Sequence, residues 1–328
     1  LGAILAECAK AGRDKLTIVA DPKIESFGLW VEQLVAESTG KEGKGIVPVA
    51  GEPLAAPPAY GDDRLFVSIS VGRPGGETET KLKALEAAGH PVIYRTLTDA
   101  YDLAEEFFLW EIATAFAGWR LGINPFDQPN VQESKDATRE LLEAFKVAGR
   151  LQEQTAHVSD GALTLYADDA TRAALPAGSP LEALQAHLSR ADAGDYIALL
   201  NYIEETPEHD RLLRQVRTHL RDATRCATTT GYGPRFLHST GQLHKGGPDS
   251  GVFLQITAAD ARDLEIPGEP FTFSVLKQAQ ALGDFRSLST RGRRALRVDL
   301  GADAAAGLQR LYDLVREALP VSGATGAK

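Results

Sequence analysis

The chain lacks methionine, has only two cysteines and contains no long apolar run. Cys8 and Cys226 are far apart and form no CxxC pair, so the sequence predicts neither a disulfide framework nor a cysteine zinc site, and a reducing cytoplasm is the expected location. Because no stretch of roughly 18 apolar residues is present, a membrane-spanning helix is not expected. The missing methionine, and an opening that reads as the middle of a helix, indicate an internal fragment of a longer protein.

The chain also has no excess of basic residues. It contains 35 Lys and Arg and 45 Asp and Glu, which gives a net charge of −10. Nucleic acids and anionic membranes are bound through concentrated basic surface, so neither is an expected partner. With 43% hydrophobic and 24% charged residues the chain should fold. A length of 328 residues suggests two modules.

Strand-like apolar runs alternate with helical periodicity along most of the chain, which predicts an α/β fold with a parallel sheet. One helix is well marked, with Asp21 as its N-cap, Pro22 in its first turn and Gly40 just past its end. We predict an α/β module over residues 1–150, a connecting segment over 151–180, a second, smaller α/β module over 181–320 and a flexible tail over 321–328. A strongly apolar helix over residues 101–121 should lie against the first sheet.

The string AESTGK places Glu37 in the last turn of the capped helix, where the partial negative charge of the helix end disfavours a carboxylate. Such a position fits either a solvated helix-end carboxylate or a general base. The string is not a phosphate-binding P-loop, because no G-x-x-x-x-G-K-[ST] pattern runs through it.

Two further strings concentrate polar groups. GINPFDQPNVQESK, over residues 122–135, is a two-proline loop that enters a helix near Val131. GYGPRFLHSTGQLHKGGPDSGVFLQIT combines Arg235, His238, His244 and Lys245 with glycines, which predicts either an anion and sugar pocket or a Gly-rich loop with hydrogen-bonded histidines. A zinc site is not predicted, because no third ligand stands at a recognisable spacing.

Together, the three strings resemble the glucose-6-phosphate isomerase (phosphoglucose isomerase) family, in particular the isomerase half of bifunctional transaldolase/glucose-6-phosphate isomerases. The resemblance implies that residues 1–150 form a sugar isomerase (SIS-like) domain, truncated at its N-terminus. It also implies that Glu37 is the catalytic base, that Lys135 contacts the sugar ring oxygen and that His238 opens the ring. The substrate-binding residues that it implies are Gln128, Gln242, His244 and Lys245. Neither a metal nor a cofactor is implied.

The chain departs from the family pattern at three points. Asn130 and Gln132 stand where the family usually has Gly and Glu. The family histidine usually lies between the base and the lysine, whereas here His238 follows both. His90 is the only histidine in the usual interval, but it lacks the glutamine four residues later that His238 has.

The implied activity is the interconversion of glucose 6-phosphate and fructose 6-phosphate, in glycolysis and gluconeogenesis, through an enediolate. The resemblance further implies a homodimer, a transaldolase encoded upstream and a Ser/Thr-rich phosphate-binding subdomain that this sequence does not contain. Two alternatives stay open, namely a non-catalytic sugar-phosphate-binding module and a mannose or dual-specific phosphosugar isomerase.

Overall fold

The computed structural model describes residues 1–152 and 154–321, which contain two β-sheets flanked by helices. In chain order the strands are β1 (Lys15–Ala20), β2 (Val47–Ala50), β3 (Arg64–Val71), β4 (Val92–Leu97), β5 (Val158–Ser159), β6 (Thr164–Tyr166), β7 (Tyr196–Tyr202), β8 (Ala227–Tyr232), β9 (Gly251–Thr257) and β10 (Arg294–Asp299). The helices are α1 (Gly2–Lys10), α2 (Glu25–Thr39), α3 (Gly76–Ala87), α4 (Leu103–Leu121), α5 (Val131–Ala148), α6 (Asp169–Ala174), α7 (Pro180–Leu188), α8 (Pro207–Thr224), α9 (Ser239–Gly246), α10 (Phe273–Thr290) and α11 (Ala304–Ala318). The α/β fold class is confirmed.

The first sheet is parallel throughout, with strand order β2-β1-β3-β4. The Asp21 side chain accepts a hydrogen bond from the Lys23 amide at the entrance to a short 3-10 turn, which leads into α2. Gly40 terminates α2 as predicted. The local signals in this part of the sequence therefore agree with the tertiary structure.

The second sheet has the order β5-β6-β10-β9-β7-β8, in which β5 and β6 are antiparallel to their neighbours. With six strands it is larger than the first sheet, which has four. Residues 151–180, predicted as a connecting segment, supply β5 and β6 because Leu163 and Leu165 are buried in the core of this sheet. Only Val321 of the predicted tail lies within the described residues.

The segment HSTGQLHKGG is a helix, α9, where the sequence predicted a Gly-rich loop. Its glycines permit close packing rather than a loop conformation. A Cβ on Gly241 would lie 1.8 Å from the Phe236 carbonyl oxygen, and one on Gly246 would lie 2.3 Å from the Asn130 amide oxygen. The neighbouring helix α10 and strand β10 were not recognised from the sequence.

Only one face of the apolar helix α4 packs on the first module. Trp110 is fully buried there, but Phe108, Ile112, Phe116 and Trp119 are 43–68% exposed. The prediction that this helix lies against the sheet holds for the buried face alone. Over residues 1–152 and 154–321, no helix has both the length and the apolar character needed to cross a membrane.

A buried charged cluster joins the two sheets where the edge strands β2 and β8 lie side by side. Glu52 accepts hydrogen bonds from the Arg64 guanidinium at 3.0 and 3.2 Å and from the Thr228 hydroxyl at 2.8 Å. Arg217 donates to the Ala50 carbonyl at 3.1 Å. Burial opposes ionisation of Glu52, yet the Arg64 and Arg217 guanidinium groups lower its pKa below the ordinary value. The carboxylate is therefore held charged between the sheets.

We expect Glu52→Gln to destabilise the protein by about 3–5 kcal/mol, because Arg64, which is fully buried, would keep its charge without a carboxylate. Urea unfolding measures the change. Glu317→Gln on the exposed surface of α11 is the matched control and should stay within about 0.5 kcal/mol of wild type. Equal stability of the two variants would contradict this account of the cluster.

Candidate active site

The C-terminal half of α2, which carries Glu37, packs directly against α9. One turn before Glu37, the Gln33 side chain accepts a hydrogen bond from the Ser239 hydroxyl at 3.4 Å. At the end of α2 the backbones touch, since a Cβ on Gly40 would lie only 2.3 Å from the Cα of Leu243. Glu37 itself is half-buried. The helix that carries the predicted base is thereby placed beside the helix that follows His238.

Gln242 of α9 connects the three strings that the sequence singled out. Its side-chain nitrogen donates to the Gly40 carbonyl at 2.9 Å and to the Asn130 amide oxygen at 2.8 Å, and its side-chain oxygen accepts from the Asn130 backbone N–H at 2.9 Å. These partners are 202 and 112 residues away in sequence. Because Gln242 is fully buried, its bonds are shielded from water and fix the end of α2, the start of α5 and α9 relative to one another.

Asn130 differs from the glycine that the family pattern has at this position, and the structure gives the difference a role. Its amide oxygen accepts one of the Gln242 hydrogen bonds, which a glycine could not do. Its amide nitrogen donates to Glu133 at 3.3 Å, in the first turn of α5.

Lys41 provides a second connection, which was not recognised from the sequence. Its ammonium group donates to the Asp127 carboxylate at 3.0 Å and to the carbonyl of the same residue, and its side chain is nearly inaccessible to solvent. The loop over residues 122–130 is thus attached to the end of α2. Two sequence signals could have indicated this pair. One is Lys41 at the end of the string ESTGK, and the other is Asp127 within the string NPFDQ.

The predicted catalytic side chains surround this scaffold on its solvent side. Lys135 is exposed in the first turns of α5, and His238 is exposed at the N-terminal end of α9. Gln128 is exposed on the loop that Lys41 holds. Across residues 1–152 and 154–321, the side chains of Glu37, Lys135 and His238 form no hydrogen bond or ion pair. The structure brings their segments together and leaves these side chains without direct contacts to one another.

Lys245, predicted to bind substrate, is buried in an ion pair instead. Its ammonium group lies 2.6 Å from the Asp284 carboxylate and donates to the Phe236 carbonyl at 2.8 Å. Burial raises the pKa of Asp284, against the opposing effect of Lys245. The pair links α9 to α10, and neither side chain reaches solvent.

His244, also predicted to bind substrate, lies within an aromatic cluster. Its ring centroid is 6.1 Å from Tyr196, 6.0 Å from Phe236 and 5.2 Å from Phe253. Burial lowers its pKa to about 3, so the imidazole is neutral near pH 7. Like Gln242 and Lys245, it is buried.

His90, the alternative ring-opening histidine, lies in a different part of the molecule. It packs edge-on against Tyr60 and Phe66, in an apolar cluster between β3 and α3. It therefore has no place among the segments joined by Gln242.

A cleft of about 400 Å³ opens beside the candidate active site, at the carboxyl ends of β2 and β8. Arg235 at its wall pairs with Glu32 of α2 at 3.0 Å. Burial raises the pKa of Glu32 to about 7, although Arg235 and Arg217 oppose the shift. A buried carboxyl group of this kind can exchange a proton near neutral pH. Glu32 was not recognised from the sequence, although it interrupts the apolar face of α2.

Within the described residues no group of three His, Cys, Asp or Glu side chains could hold a metal ion.

Comparison with known proteins finds distant sequence relatives. No protein-family model matches the chain. The chain is 27% identical over 159 residues to the glucose-6-phosphate isomerase of Heliobacterium modesticaldum, covering 37% of this chain and 35% of that protein. It is 29% identical over 163 residues to the glucose-6-phosphate isomerase of Enterococcus faecalis, covering 38% and 36%. The chain thus spans about a third of the length of the curated relatives it matches.

Among solved structures, a hypothetical protein from Thermus thermophilus aligns with 98% of this chain and 82% of its own. The identity is 12% and the TM-score is 0.36, which is too low to support an inference. The similarity to glucose-6-phosphate isomerases therefore rests on sequence, over part of the chain.

Lowering the pH from about 6.5 toward about 3 should destabilise the protein, because unfolding frees His244 to bind a proton that its buried ring does not hold. His187, whose pKa burial also lowers to about 3, acts in the same direction. We expect His244→Phe to reduce, without abolishing, the loss of unfolding free energy on acidification, as measured by urea titrations at several pH values. The half-buried His209→Phe is the control, and an unchanged pH slope in His244→Phe would contradict the assignment.

Proposed function

We propose that this chain supplies the acid–base groups of an aldose–ketose isomerase that interconverts glucose 6-phosphate and fructose 6-phosphate. The observation that carries the proposal is the buried Gln242, which joins the segments bearing Glu37, Lys135 and His238. The distant similarity to glucose-6-phosphate isomerases supports the same reaction.

In the proposed reaction, His238 and Lys135 assist opening of the sugar ring at the ring oxygen. Glu37 then takes the proton from C2 of the open aldose and returns it to C1. The hydroxyl proton moves from O2 to O1 at the same stage, so that the carbonyl passes from C1 to C2. The positive charge of Lys135 stabilises the negative charge that develops on the enediolate oxygens. Each step uses a side chain that is open to solvent on the scaffold of α2, α5 and α9.

We propose positioning roles for three residues that were predicted to bind substrate. Gln242 holds the segments together, Lys245 attaches α9 to Asp284, and His244 fills the aromatic cluster beneath α9. Gln128, which is exposed beside Lys41, remains the proposed substrate contact.

The remaining parts of the proposal rest on the three strings and their order. The unusual succession of Glu37, Lys135 and His238 supports an isomerase of the type fused to a transaldolase. The phosphate group of the substrate would then be bound by a Ser/Thr-rich subdomain outside this sequence, and a reducing cytoplasm would be its location.

Glu37→Gln should lower the turnover of fructose 6-phosphate by at least about 100-fold, because an amide cannot accept the proton that the open-chain ketose releases from C1. The measurement is a coupled assay of the conversion of fructose 6-phosphate into glucose 6-phosphate. Glu42→Gln changes an exposed carboxylate five residues away and should retain wild-type turnover. Full activity of Glu37→Gln, with the fold intact by circular dichroism, would overturn the assignment.

His238→Ala in the same assay separates ring opening from proton transfer. If His238 opens the ring, turnover of the cyclic substrate falls while exchange of the C1 proton of the open-chain ketose persists. Mannose 6-phosphate, run in parallel, tests the specificity, and binding of sugar phosphate without any turnover by the wild-type protein would favour the non-catalytic module.

We propose a second copy of this chain as the partner of the outward face of α4. Phe108, Ile112, Ala115 and Trp119 follow a 4-3-4 spacing, which forms one stripe along a helix and suits antiparallel pairing with an identical stripe. Aromatic side chains bury about 150–250 Å² each, so covering this stripe and Phe126 would remove on the order of 600 Å² per copy. That area approaches the roughly 800 Å² per partner of stable dimers.

Ile112→Glu should convert the dimer to a monomer, because it places a charge at the centre of the apolar stripe. Light scattering coupled to size-exclusion chromatography measures the mass. Val147→Glu, which changes an apolar residue that is 91% exposed on α5, should leave the dimer intact. A monomeric wild-type protein would overturn the proposal of a second copy.

A further inference from the structure

A larger cleft, of about 580 Å³, lies in the second module and shares no lining residue with the candidate active site. It opens at the carboxyl ends of β7, β9 and β10, where Tyr202, Thr257 and Asp299 are the last residues of their strands. Its volume is within the roughly 300–1,000 Å³ of small-molecule sites.

The cleft lies at the point in the strand order where connections from neighbouring parallel strands run toward opposite edges of the sheet. From β7 the chain passes through α8 to β8 on one side, whereas from β9 it passes through α10 to β10 on the other side. The two connections diverge at the carboxyl ends of the neighbouring strands β7 and β9. In open α/β sheets, ligands bind in the crevice at such a switch point.

Arg297 gives the cleft a positive group with a fixed orientation. Its guanidinium lies 3.9 Å from the centre of the Tyr166 ring, which holds the plane of the group by stacking. Over residues 1–152 and 154–321 it donates no hydrogen bond and forms no ion pair. A mostly buried guanidinium gains most from a carboxylate or phosphate that accepts two parallel hydrogen bonds.

The other polar groups of the cleft suit a hydroxylated ligand. The Thr257 hydroxyl donates to the Asp299 carboxylate at 2.7 Å, and Lys277 of α10 pairs with Asp260 at 2.5 Å. Gln278, on the next position of α10, is exposed at the rim. Asp260 is balanced by Lys277, whereas the Thr257 hydroxyl leaves Asp299 charged near Arg297. No hydrogen bond to Asp299 occupies the Arg297 guanidinium within the described residues, so its N–H groups can donate to an anion, while Gln278 can bind hydroxyl groups.

We propose that this cleft binds a small hydroxylated phosphate ester, with Arg297 receiving the phosphate group. The site is independent of the proposed isomerase chemistry, because it lies on α10 and the second sheet and contains none of Glu37, Lys135 and His238.

The test is a calorimetric titration of the chain with glycerol 3-phosphate, compared with glycerol. Arg297→Gln should weaken binding of glycerol 3-phosphate at least tenfold. Arg310→Gln, which changes an arginine on the surface of α11, is the matched control and should leave the affinity unchanged.

Because Arg297→Gln removes a mostly buried group, a second variant avoids the risk of misfolding. Gln278→Glu adds a negative charge at the exposed rim of the cleft and should also weaken binding of glycerol 3-phosphate, whereas Gln309→Glu on α11 should not. Equal affinities of Gln278→Glu and wild type, or no binding of glycerol 3-phosphate by wild type, would overturn the proposal.

Discussion

The buried carboxylate of Glu52 is the interaction on which the arrangement of the two sheets depends. It accepts hydrogen bonds from Arg64 of the first sheet and from Thr228 of the second. A buried ion pair contributes little net stability, but its geometric demands favour one alignment of the groups around it. The strand β8 leads into α9, and the strand β1 leads into α2, so fixing the sheets also sets the distance between these helices.

With the sheets fixed in this way, two features hold the candidate active site together: the close packing of the α2 and α9 backbones and the buried side-chain amide of Gln242. Gly40 and Gly246 let the end of α2 and α9 approach to distances that no side chain would allow. Gln242 then bonds to both Gly40 and Asn130 in the resulting interior. The site therefore has a rigid, buried polar centre, with its candidate reactive groups on the surface around it.

This division between centre and surface is consistent with acid–base chemistry on a soluble ligand. A proton-transferring side chain must reach its substrate, and of the proposed catalytic residues Lys135 and His238 are exposed and Glu37 is half-buried. The residues that position them must be held still, and Gln242 and Lys41 are almost fully buried. The exposed apolar stripe of α4 and the cleft at Arg297 lie outside this site.

The sequence by itself determined the local elements of the first module, because caps such as Asp21 and Gly40 act over a few residues. It also indicated which three strings belong together. Only the tertiary structure decided that HSTGQLHKGG is a helix and that His244 and Lys245 are buried. Burial depends on partners such as Phe253 and Asp284, which come from distant segments, and no local pattern specifies which polar side chain will meet an apolar or charged neighbour on folding.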